Sequence, residues 1–239
     1  MAISDRQKQI LFGLISEYTR LAEPISSETI EQNCHLGVSP ATIRNDMKEL
    51  TEEGFLFQPH TSAGRIPADK GYRLFVDELL EKQEKRRSGK FSQVFEGLEN
   101  EMDDPLGFTR VVTRVLALTS ANLSITYLVS SHVLWKEGWE DILQAPEFSE
   151  QGIAVRFAKL LKDFEENIEG LEAEDTLSVY IGEEITFSEV NDFSLVIADC
   201  SLPEGQEGRI AILGPKRMEY TKNIGLMKSL LNFLDDNKS

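Results

Sequence analysis

The chain has 239 residues, 41% of them hydrophobic, and a net charge of −16. That length allows one large globular domain or two smaller ones, and the acid excess argues against a surface that is attracted to nucleic acid everywhere. The charge is unevenly placed, however: residues 1–90 hold 13 Lys and Arg against 14 Asp and Glu, while the remainder carries −15. The near-neutral first part can approach DNA, and the acidic remainder is repelled by phosphate.

A first helix is expected from Ser4 or Asp5, with Ile10, Leu11, Leu14, Ile15 and Tyr18 at helical spacing. Pro24 interrupts it, and Ser26 or Ser27 can cap a short second helix running to Asn33 or Cys34. Gly37 suits the following turn. Ser39 then caps a third helix, residues 39–53, with Pro40 at its first position, where no N–H is needed. Gly54 is placed to end it. Residues 55–58 and 65–66 are expected as strands joined by turn-forming residues 59–64. Asp69 can cap a fourth helix, striped by Tyr72, Phe75, Val76, Leu79 and Leu80. Residues 82–90 are expected to form a linker.

Beyond it the pattern is mixed. A helical stretch covers residues 91–119, broken near Asp103-Asp104-Pro105, and helices fit residues 152–167 and 218–234. Strands fit residues 124–130, 132–136, 176–181, 194–200 and 209–213, with residues 203–208 forming a hairpin loop. The uncharged run 115–131 is too rich in Ser, Thr and Asn for a lone membrane span. Residues 1–18 lack the apolar core of a signal peptide. Cys34 and Cys200 make neither a disulfide framework nor a metal motif, and are expected as reduced, mostly buried thiols of a cytosolic protein.

Short helix, tight turn, capped helix, strand, wing and helix in that order make a winged helix-turn-helix. At about 100° per residue, Ile43, Met47 and Leu50 share the packing face of the third helix. Ala41, Asn45, Lys48 and Glu52 lie opposite, Arg44 at the flank, and Asp46 and Glu49 on the other side. Arg44 can pair with guanine and Asn45 with adenine. Lys48 suits phosphate, Ala41 permits close approach, Thr42 can touch phosphate or a thymine methyl, and the capping Ser39 is counted with them as a DNA-binding candidate. In the wing, His60, Thr61, Ser62 and Arg65 suit phosphate or the minor groove, and Lys70 and Arg73 can extend the backbone footprint. Blander roles compete: Arg44 paired with a carboxylate, Asn45 merely solvated, His60 shaping the loop.

The runs Ser39-Pro40-Ala41-Thr42-Ile43-Arg44-Asn45-Asp46-Met47, Pro59-His60-Thr61-Ser62-Ala63-Gly64-Arg65 and Gly71-Tyr72-Arg73, with Gly54 between them, resemble the N-terminal signature of the heat-inducible transcription repressor family HrcA. Residues 138–148, 181–184, 192–196 and 214–220 resemble that family's later segments. The resemblance implies a cytoplasmic repressor that binds an inverted-repeat operator upstream of chaperone operons, as a dimer and under tuning by the chaperonin GroEL. It implies an α+β chain, with a winged helix-turn-helix domain over residues 1–88 and a GAF-like regulatory and dimerisation domain over residues 89–239. Members of the family are typically longer. Here residues 124–131 lead almost directly to the segment at Gly138, which implies that much of the GAF-like core and its inserted dimerisation subdomain are absent or shortened.

The sequence holds no nucleotide loop, metal-ligand cluster or nucleophile elbow, so no catalytic residue, metal or cofactor is assigned. Gly214-Pro215-Lys216-Arg217 could hold an anion at a helix start, but is expected as a strand-to-helix turn with Arg217 paired to a local acid. One alternative is a winged-helix regulator whose second domain answers to a small molecule. Another is an interaction module that has lost DNA binding, which the intact Arg44, Asn45 and wing residues oppose.

Overall fold

The computed structural model describes residues 3–84, 91–171 and 176–237. The chain divides into two compact units after Leu79. The first is a winged helix-turn-helix. Helix α1 (Asp5–Leu21) opens with a capping box: the Ser4 hydroxyl accepts from the Gln7 backbone at 3.2 Å, and the Gln7 side chain accepts from the Ser4 backbone at 2.9 Å. Ser26 caps α2 (Ser27–Cys34), and Ser39 caps α3 (Pro40–Glu52), with Pro40 in the first turn. Gly54, at φ +79°, turns the chain out of α3. The strands are short, β1 (Leu56–Phe57) paired antiparallel with β2 (Ile66–Pro67). Ile25, from the α1–α2 connection, exchanges both backbone hydrogen bonds with Arg65, at 2.9 and 2.8 Å, and so extends the wing. Ile10, Leu14, Ile30, Ile43, Leu50 and Val76 are fully buried and weld the helices into one core.

Helix α4 (Asp69–Glu84) begins on Asp69, and the Ala68 carbonyl accepts the first helical bond from Tyr72 at 3.1 Å. Ala68 thus takes the cap position expected of Asp69, which instead places its charge in the first turn. The expected linker is helical as far as Glu84, and its residues 85–90 lie outside the described residues. Of the stripe on α4, Tyr72 and Val76 are buried, whereas Phe75, Leu79 and Leu80 are half-buried.

The second unit is GAF-like. Short 3-10 helices at Ser92–Phe95 and Leu98–Glu101, where an α-helix was expected, precede α5 (Pro105–Ser120). There follow β3 (Leu123–Leu128), β4 (Val133–Glu137), α6 (Trp139–Leu143), α7 (Ile153–Asn167), β5 (Ser178–Ile181), β6 (Phe193–Leu202), β7 (Gln206–Pro215) and α8 (Tyr220–Asp236). The five strands form an antiparallel sheet in the order β4-β3-β7-β6-β5. One face carries Leu123, Ile125, Leu195 and Leu213 against Phe157, Leu160 and Phe164 of α7. On the other, Thr113 of α5 donates to Thr126 of β3 at 2.8 Å, and Ser194 of β6 bonds Tyr220 of α8 at 2.7 Å. A strand covered on both faces explains the uncharged run 115–131: it is the end of α5 followed by the fully buried β3. Brevity between Ser131 and Gly138 has not cost the sheet, since β3 pairs directly with β4. Both cysteines are free and half-buried rather than fully buried; burial, and then the charge of Glu17, push the Cys34 thiol up. Among the described residues no helix is long and apolar enough to cross a membrane.

Candidate nucleic-acid interface

Helix α3 is fixed from beneath. Ile43, Met47 and Leu50 are buried as its spacing requires. Asp46, on the other side of the helix, is 4% exposed. Arg6 of α1 grips its carboxylate with a two-pronged bond, Nε to Oδ2 at 2.7 Å and Nη2 to Oδ1 at 3.0 Å. Beside it Gln7 donates to Glu49 at 2.8 Å. With that flank committed to α1, Ala41, Arg44, Asn45 and Lys48 are left exposed on one side of the helix.

These exposed residues are not all idle. Arg44 reaches back to Glu28 of α2, Nη2 to Oε1 at 2.7 Å, and both side chains remain largely in solvent. The Glu28 carboxyl lies below its ordinary pKa, held there first by its own backbone N–H, then by Ser26, Ser27 and Arg44 against an opposing effect of burial. Lys48 stands 3.6 Å from Glu52 one turn on. The Ser39 hydroxyl accepts from the Thr42 backbone at 3.3 Å and lies 3.0 Å from its hydroxyl, so both groups serve the cap.

The wing is held by its own loop. Ala63 donates to the His60 carbonyl at 2.9 Å, and the Gln58 amide donates to the carbonyls of Thr61 and Ala63 at 2.9 and 3.0 Å. His60, Thr61 and Ser62 stay exposed at the tip. Gly64 lies against the backbone of Ile25, where an added Cβ would sit 2.3 Å from the carbonyl oxygen. The three basic residues behind the tip have partners within the fold. Arg65 is half-buried and donates from Nε to Thr51 at 2.9 Å, and burial lowers its pKa. Lys70 donates to the Glu53 carbonyl at 2.8 Å, with its ammonium 4.1 Å from the centre of the Phe55 ring. Arg73 pairs with Asp77 at 3.2 Å.

The structure therefore brings Arg44 together with the wing. A cleft of about 400 Å³ separates the start of α2 from the loop, with Ser27, Glu28, Arg44, Gln58, Thr61 and Ser62 in its walls. Sequence reading missed Glu28, Gln58 and Asp46 as members of this region. Only the local signals were available to it, and Asp46 and Arg6 are forty residues apart. In the second unit, Arg217 pairs with a carboxylate as expected, at 2.5 and 3.0 Å, but with that of Glu147, seventy residues away, rather than a neighbour in the turn.

A family model described as DeoR-like helix-turn-helix domain matches residues 21–67, the stretch that builds this surface. A solved structure described only as a hypothetical protein superimposes with a TM-score of 0.82 over 98% of both chains; at 20% identity it shows the fold alone. The chain is similar to the heat-inducible transcription repressor HrcA of Thermoanaerobacter pseudethanolicus, 28% identical over 98% of each protein. That alignment runs to 337 positions against 239 residues here, so stretches of the relative have no counterpart in this shorter chain. It is also similar to HrcA of Desulforudis audaxviator, 57% identical over 81 residues, 34% of this chain and 24% of that protein. The model described as HrcA protein C terminal domain matches residues 76–224, more than half of the chain, and the chain belongs to the HrcA family.

Proposed function

We propose that this chain is a transcriptional repressor of heat-shock operons. Two protomers bind an inverted-repeat operator, each laying α3 in a major groove, because a palindromic site mirrors a two-fold protein. Arg44 and Asn45 meet base edges, Lys48 meets phosphate, and His60, Thr61 and Ser62 of the wing tip contact phosphate or the minor groove. Arg65, Lys70 and Arg73 support this surface from within the fold, and any phosphate contact they make is secondary. Residues 1–88 act as the reader and residues 89–239 as the regulatory and dimerisation part, in the cytoplasm. The observation that carries the reading is one exposed face of α3, bearing Arg44, Asn45 and Lys48 next to an exposed wing tip, in a chain of the HrcA family.

The relatives' heat-inducible repression extends the proposal to control. A fold of ordinary marginal stability loses binding-competent molecules several-fold for a change of about 1–2 kcal/mol. Heat, or too little GroEL to restore the folded form, then lifts repression. The test is binding to an inverted-repeat chaperone operator and to a scrambled duplex of equal length at near-physiological salt, with the mass of the complex measured. Preference for the operator with two protomers per site is expected; equal, weak binding to both duplexes overturns the reading.

A further inference from the structure

The tip of the wing poses a problem of charge. Residues 59–64 contain no lysine or arginine, and Arg65 behind them is turned onto Thr51. Apart from His60, any attraction of this tip for phosphate rests on dipoles. A peptide loop carries carbonyl oxygens, which phosphate repels, in the same number as the N–H groups that suit it. Which of the two the loop presents is decided by one half-buried side chain.

Gln58, the first residue past β1, donates from its amide nitrogen to the Thr61 carbonyl at 2.9 Å and to the Ala63 carbonyl at 3.0 Å. Both partners can only accept, so the nitrogen and not the oxygen of the amide must face them. The His60 carbonyl is taken up by the Ala63 N–H at 2.9 Å. Three carbonyls of the loop are thus bound within it. The peptide bonds are trans, and in a trans unit the N–H points away from the carbonyl. The Thr61 N–H shares its unit with the His60 carbonyl, and the Ser62 N–H shares its unit with the Thr61 carbonyl, so both face away from the bound oxygens. Neither N–H has an acceptor among the described residues, and neither hydroxyl of Thr61 and Ser62 has a partner there. Both residues are exposed. The tip therefore offers two N–H and two O–H donors to solvent, with its carbonyls tied behind them.

We propose that Gln58 is a positioning residue for DNA binding: by holding the Thr61 and Ala63 carbonyls it aims the N–H and hydroxyl donors of Thr61 and Ser62 at a backbone phosphate of the duplex. Gln58 itself does not touch DNA. The inference rests on the repressor reading, in which the wing tip meets the DNA, and adds to it the group that fits a tip without lysine or arginine to an anion. Without the amide, the unit joining Thr61 and Ser62 is free to rotate, and a flip presents an oxygen to the phosphate in place of an N–H. Contact with phosphate carries no sequence information, so Gln58 strengthens binding to every duplex alike.

The test uses the full chain and Gln58→Met, which keeps the length of the side chain and removes its donor. Circular dichroism with thermal melting confirms folding. Binding to an inverted-repeat chaperone operator and to a scrambled duplex is expected to weaken by the same factor, about tenfold. A scan of neutral methylphosphonates through one half-site then separates positioning from a general loss of fold, because each replaces one charged phosphate. The wild type is expected to lose affinity at phosphates flanking the bases that α3 reads and at a further phosphate beside the wing. Gln58→Met is expected to keep the first sensitivity and lose the second, whereas a merely weakened fold leaves the wild-type pattern intact. Where Met costs folding, Gln58→Glu, of the same shape but able only to accept when ionised, is expected to change the pattern in the same way with a larger loss of affinity. The proposal is overturned by a folded variant that binds as the wild type does, or by a loss that leaves the phosphate beside the wing as sensitive as before. A wild type without operator preference, whose binding to both duplexes Gln58→Met still weakens, sinks the repressor reading and spares the role of Gln58. Operator preference that persists at unchanged affinity in Gln58→Met does the reverse.

Discussion

Gly64→Ala tests the way the wing is attached. Gly64 does not have a positive φ, so its need for glycine is one of space. A Cβ there would lie 2.3 Å from the Ile25 oxygen and 2.5 Å from its carbonyl carbon, both backbone atoms that cannot swing aside. Either the chain shifts locally, at about 1–3 kcal/mol for overpacking, or the wing detaches from Ile25. Detachment would lose the two Ile25–Arg65 backbone bonds, each contributing about 1 kcal/mol net. Destabilisation of roughly 2–3 kcal/mol is therefore expected for the N-terminal unit. Denaturant unfolding of the full chain should show an earlier midpoint in the transition of that unit, with the second unit unmoved. Because α3 is held independently by Arg6 and the core, its helix signal should survive under native conditions, while operator affinity falls through the displaced tip. Gly54→Ala is the control: nothing lies within 4 Å of its added Cβ, but φ is +79°, so it costs only the torsional strain of about 1 kcal/mol and leaves the wing in place. If Gly64→Ala unfolds and binds as the wild type does, the close approach to Ile25 is not what positions the wing.

Three further outcomes are expected. Arg44→Ala should lose about 1–3 kcal/mol of operator affinity and relax preference at one base position, while Lys48→Ala should weaken all duplexes alike and reduce the salt slope by about 1; competition binding over a sequence library at two salt concentrations separates them. Glu28→Gln should raise affinity for scrambled DNA more than for operator, since it frees Arg44 without adding a base contact, and a filter-binding titration showing no change for either duplex would refute the coupling. In the second unit, the Glu169 carboxyl is held below its ordinary 4.5, first by the Tyr127 hydroxyl and then by His132. A lowered carboxyl stabilises the fold above the ordinary value and ceases to do so as pH falls through the lowered one. Glu169→Gln should accordingly make acid unfolding of that unit less steep, which thermal melts between neutral and acid pH would show.

The N-terminal unit was legible because its signals are local. Ser4, Ser26 and Ser39 each cap the helix beside them, Pro40 starts α3, and Gly54 ends it, so a few consecutive residues suffice. What escaped is what joins distant parts of the chain. A wheel drawn for α3 alone cannot show that Arg6 will claim Asp46, or that Ile25 will pair with Arg65. It equally hides Lys70, which suits a phosphate by type but lies against Phe55 and closes the end of α3 instead. In the second unit, five-residue α6 is too short to display a helical period, and the stretch before α5 has helical composition but forms only 3-10 turns. Strands β6 and β7 run longer than expected because both faces are covered, so their apolar content lacks the alternation that marks a strand's ends.

The placement of the carboxylates bears on how so acidic a chain could discriminate between DNA sequences. Within the reader, Asp46 and Glu49 are occupied by Arg6 and Gln7 beneath α3, and Asp77 by Arg73. Two exposed acids each sit beside a cation of the proposed contact: Glu28 at Arg44 and Glu52 at Lys48. Any phosphate must displace or tolerate them, so the general attraction to DNA is weakened for every sequence alike. A base edge that pairs with Arg44 in two directions replaces the Glu28 bond with something better, and only the correct sequence offers it. On the proposed reading these acids thus lower non-specific binding more than specific binding, and the ratio between the two is what a repressor searching a genome requires.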